Sequence, residues 1–307
     1  MQGLSSKDLV TILDLSREDI ETVFETTRKQ KPLARAHELS HSHPNRTLAC
    51  IFHKPSLRTR VSFEVAIAQL GGNSLYITDR EIGLGSRESV EDVARVLSRF
   101  VDGIMIRTFD HSHVEKLARE ASVPVINGLT DLTHPCQILA DLFTVQEHLG
   151  GIEGRRIVYV GDGNNIAHSW INAAALLDFS LVICTPRDFE PDPSIIEKAK
   201  AKGHLDLTIS HEPAEAVEDA DVLYTDVWAS MGQEDEAAER AKVFQPYQVN
   251  EALVEKAKDE VIVLHCLPAH RGSEITDEVM DGPHSRVFDE AENRLHVQRA
   301  LLFHLMA

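Results

Sequence analysis

Apolar residues fall in two rhythms along the chain. Short unbroken apolar runs alternate with longer stretches of helical period. Leu9, Ile12, Leu13, Ile20, Val23 and Phe24 recur at helical spacing and predict an amphipathic helix over 9–27. Runs at 47–52, 73–78, 103–106 and 124–127 read as strands, with helices predicted after Ser56 up to Gly71-Gly72 and over 89–100 and 113–122. His134-Pro135-Cys136-Gln137 opens a long helix to Leu149, closed by Gly150-Gly151, and Pro135 suits a first helical turn. The alternation then restarts. Strands are predicted at 156–160, 181–184, 205–209, 221–225 and 261–264, with helices at 166–177, 194–202, 213–219, 235–242, 250–258 and 290–306. Residues 79–88 carry mixed charges and glycines without a sustained period, and read as a mobile loop. Strand–helix alternation of this kind predicts an α/β fold built on parallel sheets with helices on their faces.

Length sharpens the picture: 307 residues suggest about two domains of roughly 150 residues each. No segment reaches the ~18 apolar residues of a membrane span, and the first residues lack the apolar core of a signal peptide. A cytoplasmic protein without a membrane partner is the expectation. Cys50, Cys136, Cys184 and Cys266 are far apart and form no C-x-x-C pair, which fits reduced thiols. The histidines of 37–43 read as a surface loop, with no partner cluster for a metal. The formal charge of −18 disfavours nucleic acid as a partner. Acidic residues in excess, with arginine outnumbering lysine, also fit a working medium of high salt, where screening relieves self-repulsion. That expectation predicts loss of fold or activity on dialysis into low salt.

The candidate chemistry lies at strand ends, where ligands bind in parallel sheets. Lys54-Pro55-Ser56-Leu57-Arg58-Thr59-Arg60 joins a strand to a helix. Ser56 there is either an ordinary N-cap or one wall of an anion site made of helix amides, hydroxyls and guanidiniums. Arg107 ends a strand on the same side and can reach the same anion. Arg60 has Glu64 four residues on, which suits a helix-surface ion pair. His134 and Gln137 stand on a first helical turn, as pocket residues or as core. Gly161-Asp162-Gly163-Asn164-Asn165 weakly resembles a dinucleotide fingerprint, but Ile166 stands where a third small residue belongs. Thr185-Pro186-Arg187 also lacks the acid that would hold a ribose, which argues against a dehydrogenase. Asp226 at a strand end, before a glycine-bearing loop, is a plausible ammonium site, and His265-Cys266-Leu267-Pro268 ends another strand. Arg294 falls in the first turn of the predicted closing helix, where the dipole disfavours a cation, so a ligand or ion-pair partner is expected.

These motifs, in this order and over nearly the whole length, resemble the ornithine carbamoyltransferase family. Ser56-Leu57-Arg58-Thr59-Arg60 is similar to the family's S-T-R-T-R carbamoyl-phosphate signature. His134 to Gln137 matches H-P-x-Q, and Asp226-Val227-Trp228 with Ser230-Met231-Gly232 matches D-x-W…S-M-G. His265 to Pro268 matches H-C-L-P, and Arg294 lies in A-E-N-R. The resemblance implies two α/β domains, each a parallel sheet flanked by helices, joined by interdomain helices. Residues 1–133, completed by the closing helix 290–307, would bind carbamoyl phosphate; 134–149 would be an interdomain helix; 150–289 would bind ornithine. It further implies a homotrimer or a multiple of trimers, with no cofactor and no metal. Two departures stand out. Leu57 replaces a Thr that contributes mainly its backbone N–H, and Arg80 holds the place of a Gln that reaches a neighbouring subunit's site.

The implied reaction is carbamoyl phosphate plus L-ornithine giving citrulline and phosphate. An alkylamine with a pKa near ~10.4 must lose its proton before it attacks. By the resemblance, Ser56, Leu57, Arg58, Thr59 and Arg80 hold phosphate. Arg107, His134 and Thr59 would polarise the carbamoyl C=O, with Arg294 on the same side. Gln137 and the Cys266-Leu267 backbone would hold its NH₂. Asn165, Asp226, Ser230 and Met231 would hold ornithine, and Cys266 would align its δ-nitrogen; Arg107, His134 and Cys266 are the catalytic set. Rival readings are a carbamoyltransferase for putrescine, an N-acylated ornithine or aspartate, a dehydrogenase, and a non-catalytic paralogue.

Overall fold

The computed structural model of the chain describes residues 3–229 and 234–307. The chain divides into two compact units: residues up to Ala140 with Asn293–Ala307, and Asp141–Glu292.

In the first unit the chain runs α1 (Arg17–Arg35), β1 (Thr47–Phe52), α2 (Leu57–Gln69), β2 (Asn73–Thr78), α3 (Asp79–Ile82), α4 (Val90–Leu97), β3 (Gly103–Arg107), α5 (His111–Glu120) and β4 (Val125–Leu129), then enters α6 (Pro135–Leu149). The strands form a parallel sheet in the order β2-β1-β3-β4. β1 and β3 are apolar almost throughout because both their faces are covered. Ala49, Ile51, Ile104 and Ile106 pack on Val93 of α4 and Val114 and Leu117 of α5.

In the second unit the order is β5 (Arg156–Val160), α7 (Asn165–Ala174), β6 (Ser180–Cys184), α8 (Pro193–Lys202), β7 (Leu207–Ser210), α9 (Pro213–Ala216), β8 (Val222–Thr225), α10 (Ala237–Phe244), α11 (Glu251–Val254), β9 (Ile262–His265), α12 (Asp277–Met280) and the start of the closing α13 (Val287–Leu305), whose residues from Asn293 on belong to the first unit. These strands form a second parallel sheet, β7-β6-β5-β8-β9. One face packs Val158, Val160, Leu223 and Val263 against Val249, Val254 and Ile275. On Tyr224 of β8, Tyr159 stacks at 5.9 Å and Trp170 sits edge-on at 5.5 Å. The alternation predicts this α/β architecture, and the two sheets agree with it. Among the described residues no helix is long and apolar enough to cross a membrane.

The structure corrects the local reading in four places. Residues 9–27 are not one helix. Leu9 exchanges backbone bonds with Val125 and Asn127 beside β4, and a 3₁₀ turn follows at Ile12–Asp14. Helix α1 starts only after Ser16, whose capping box with Asp19 satisfies the first amides, and it runs on to Arg35. The 79–88 segment is not featureless: a box between Thr78 and Glu81 starts α3, Gly83 ends it at φ 53°, and Leu84 is buried. His43 of the presumed surface loop is buried, its ring 5.4 Å from Phe303. The closing helix starts at Val287, and the Glu290 N–H already bonds Arg286. Arg294 therefore lies past the first turn, and the dipole argument made for it does not apply.

Candidate active site

In the first sheet the chain leaves β1 toward β2 on one side and returns as β3 on the other, so the switch point lies between β1 and β3. Phe52 is in register with Arg107 there. Ser56 caps α2, its hydroxyl accepting the Thr59 N–H at 3.3 Å. The Thr59 hydroxyl is fully buried and accepts from two guanidiniums, Arg107 Nη1 at 3.3 Å and Arg294 Nη2 at 2.8 Å. Bringing these buried cations together beside the amides of a helix start builds a positive recess suited to an anion. His134, which precedes the first residue of α6, is buried next to them. Burial first, then the charges of Arg294 and Arg107, push its pKa well below 6.5, so the imidazole is neutral and donates through one ring nitrogen. Gln137, on the first turn of α6, is buried as well.

The basic side chains of 54–60 have separate fates. Lys54 is buried, paired with Asp131, and 4.3 Å above the Phe109 ring. Arg60 meets Glu64 at 3.0 Å and lies 3.9 Å over the Tyr76 ring. Arg58 is half-buried, and no described carboxylate pairs with it. The Leu57 side chain is 74% exposed, while its amide belongs to the first turn of α2, where an N–H has no partner within the helix.

In the second sheet the switch point lies between β5 and β8, where Val160 is in register with Thr225. Asp226 follows β8. Its Oδ2 accepts Asn164 Nδ2 at 2.9 Å; its Oδ1 accepts the Val227 N–H at 2.8 Å and the Cys266 thiol at 2.9 Å. Burial and the Asp226 charge raise the Cys266 pKa well above the usual thiol value, so the thiol keeps its proton and acts as a donor. Asn164 also caps α7 through its Oδ1 on the Ile166 N–H at 2.9 Å. Gly163 is required by close packing: a Cβ there would collide with the backbone of Glu190 and Pro191. The apparent dinucleotide loop is thus filled by its own chain.

Sequence reasoning offers Asn164, with Asn165, only as a side-chain amide at a strand end, and misses Asp162 and Arg240. Arg240 of α10 pairs with Asp162 at 2.6 Å, donates to the Trp228 carbonyl, and lies 4.9 Å over the Phe189 ring. Burial, with Asp226 adding and Arg240 opposing, raises the Asp162 pKa to about 6. The Gly161–Asn165 run carries the signal for Asp162, but its glycines and asparagines draw the reading instead. Asn165 is the first residue of α7 and half-buried. Arg80 lies exposed on α3, and among the described residues no hydrogen bond or ion pair joins it to the Thr59 cluster. Ser230 and Met231 lie outside the described residues.

Asp226, His265 and Cys266 bring oxygen, nitrogen and sulfur atoms within 4.8 Å of one another, a donor set that a soft divalent metal uses. Their bonds are already committed. His265 Nδ1 accepts the Leu267 N–H at 2.9 Å, which leaves the ring proton on Nε2 facing Glu274 at 3.0 Å. The same bond holds Leu267 in the left-handed region, φ 56°. The trio reads as a hydrogen-bonded frame.

Two family models match the chain: the carbamoyl-P binding domain of aspartate/ornithine carbamoyltransferases over residues 7–147, and their Asp/Orn binding domain over 153–305. The ornithine carbamoyltransferase of Thermococcus kodakarensis is 52% identical, over 98% of this chain and 96% of its own. That of Syntrophus aciditrophicus is 54% identical, over 96% and 98%. The solved ornithine carbamoyltransferase from Pyrococcus furiosus superposes with a TM-score of 0.94 at 50% identity, covering 98% of this chain and 97% of that one. The Thermus thermophilus structure gives 0.88 at 41% identity, covering 98% and 99%.

Proposed function

The chain belongs to the aspartate/ornithine carbamoyltransferase family, and from that membership we propose that it transfers the carbamoyl group of carbamoyl phosphate to the δ-amine of L-ornithine, giving L-citrulline and phosphate. The observation that carries this reading is the buried convergence of Arg107 and Arg294 on the Thr59 hydroxyl, at the start of α2 and beside a neutral His134. Phosphate sits against Ser56, Arg58, Thr59 and the Leu57 N–H. Arg107, Arg294 and the His134 N–H face the carbamoyl oxygen, where negative charge develops as the amine adds. Gln137 and the Cys266-Leu267 backbone hold the carbamoyl NH₂. The N–C bond forms, the C–O bond to phosphorus breaks, and the proton lost by the amine ends on the departing phosphate. A metal is not needed for this leaving group, because guanidiniums neutralise it as it departs.

Asp226 takes the ornithine α-ammonium, with Asn165, Ser230 and Met231 completing the amino-acid site. The Cys266 thiol, a neutral donor tied to Asp226, aligns the δ-nitrogen. The Ser230-Met231-Gly232 motif and the Cys266 motif favour ornithine over aspartate. The stretch up to residue 133, with the closing helix, serves carbamoyl phosphate, and 150–289 serves ornithine. The chain works as a homotrimer or a multiple of trimers, with Arg80 reaching a neighbouring copy's phosphate, in a cytoplasm whose salt screens its charge of −18. The deciding assay is citrulline formed from carbamoyl phosphate and ornithine, with putrescine, N-acetylornithine and aspartate as controls. Turnover with ornithine alone is expected; a control amine that outperforms ornithine overturns the assignment. Solution mass and activity against salt concentration test the assembly and the medium.

A further inference from the structure

Two buried carboxyl groups beside the strand ends of the second sheet take no part in the chemistry above. Asp141 of α6 and Glu290 of α13 are each fully buried. Both stand where the chain passes from one compact unit to the other. The Asp141 carboxyl lies within hydrogen-bond reach of Glu290. Two carboxylates at that range repel unless one of them keeps a proton, and a shared proton relieves the pair. Glu290 also braces two strand ends. Its Oε1 accepts the Tyr224 hydroxyl of β8 at 3.3 Å, and its Oε2 accepts the His265 N–H of β9 at 2.8 Å. The next residue is Cys266, whose thiol bonds Asp226.

We propose that Asp141 and Glu290 are positioning residues: a shared-proton pair that fixes the end of β9, and through it the Cys266 thiol, for carbamoyl transfer to ornithine. The inference rests on the proposed function. Among the described residues, the Tyr224 hydroxyl of β8 and the His265 backbone N–H of β9 bond Glu290, and the Cys266 thiol of the same strand end lies in the field of both acids. Burial first, and the Asp141 charge second, push the Glu290 pKa well above the carboxylate range, which keeps the proton in place at neutral pH. Loss of that proton leaves two adjacent buried charges. Their repulsion opens the brace and adds to the negative field that Cys266 already feels from Asp226.

Infrared spectroscopy and steady-state kinetics on the full chain test this. Wild type should show a protonated-carboxyl C=O band at neutral pH that Glu290→Gln lacks. Glu290→Gln should keep kcat within about threefold of wild type, because an amide supplies a donor to Asp141 and an acceptor to His265. It should also lose the part of the alkaline decline in kcat that belongs to the pair. Glu290→Ala, which removes the brace, should lower kcat about 10²-fold through misplacement of Cys266, with the KM for carbamoyl phosphate little changed. Absence of the protonated-carboxyl band, or a Gln variant that falls as far as the Ala variant, overturns the proposal. If the Ala variant does not fold, the band and the pH profile of the Gln variant decide. A wild-type protein that makes no citrulline refutes the proposed function instead, and leaves the infrared result to stand by itself.

Discussion

The polar clusters at the strand ends of the two sheets share one topology and carry opposite charge. Each lies at the carboxyl ends of the strands flanking a switch point, β1 and β3 in one unit, β5 and β8 in the other. The first gathers guanidiniums at a helix start around a hydroxyl. The second gathers a carboxylate, an amide and a thiol. In both, burial first and the local charge second hold the neighbouring titratable group in its neutral, proton-bearing form. Cations suppress protonation of His134 to imidazolium, and an anion suppresses ionisation of Cys266. One topology thus carries a cationic cluster at one set of strand ends and an anionic cluster at the other, each with a neutral donor beside it.

The largest expected effects lie in the cationic half. Arg107→Ala or His134→Ala should each lower kcat by roughly 10²–10³, the cost of one oxyanion donor. Citrulline assays on variants with a native melting profile check this, and near-normal turnover would remove these residues from the chemistry. In the anionic half, Asp226→Asn should act on the other substrate. Losing a charge-assisted bond of about 1.5–3 kcal/mol raises the KM for ornithine about 10- to 100-fold. The KM for carbamoyl phosphate should barely move; equal shifts in both would break the comparison.

The halves also differ in the sign of their pH dependence. His134 is depressed below 6.5, so its contribution to stability is present above that value and lost as pH falls through its folded pKa. Asp162 is raised from 3.8 to about 6, so its contribution is present below 3.8 and lost as pH rises through about 6. Thermal melts across pH should therefore show Asp162→Asn losing a decline toward neutral pH, and His134→Gln losing a decline toward acid. A pH profile left unaltered by either change would contradict the environment assigned to that residue. The smallest effect belongs to Arg60, outside both clusters. Its exposed pair with Glu64 is worth about 0.3–0.5 kcal/mol, and its place over Tyr76 about 0.5–1 kcal/mol. Arg60→Gln should lower Tm slightly and leave citrulline production as it was.

Sequence alone determined the alternation of strands and helices, the parallel sheets, and the polar clusters at strand ends. These follow from local properties: apolar runs that must be covered on both faces, prolines and glycines that punctuate helices, and side chains adjacent in the chain. β5 matches its predicted bounds for that reason. Tertiary structure decided which charges stay available. Lys54, Arg58 and Arg60 look alike in the sequence, yet one is buried on Asp131, one pairs along its helix, and one meets no described carboxylate. It also replaced the expected misfit of Arg294 by a bond to Thr59, 235 residues away. It brought Asn164 to Asp226, Arg240 to Asp162, and Asp141 to Glu290. A buried polar group must find its partner wherever the packed chain supplies one, and that partner's distance along the sequence leaves no local pattern to read.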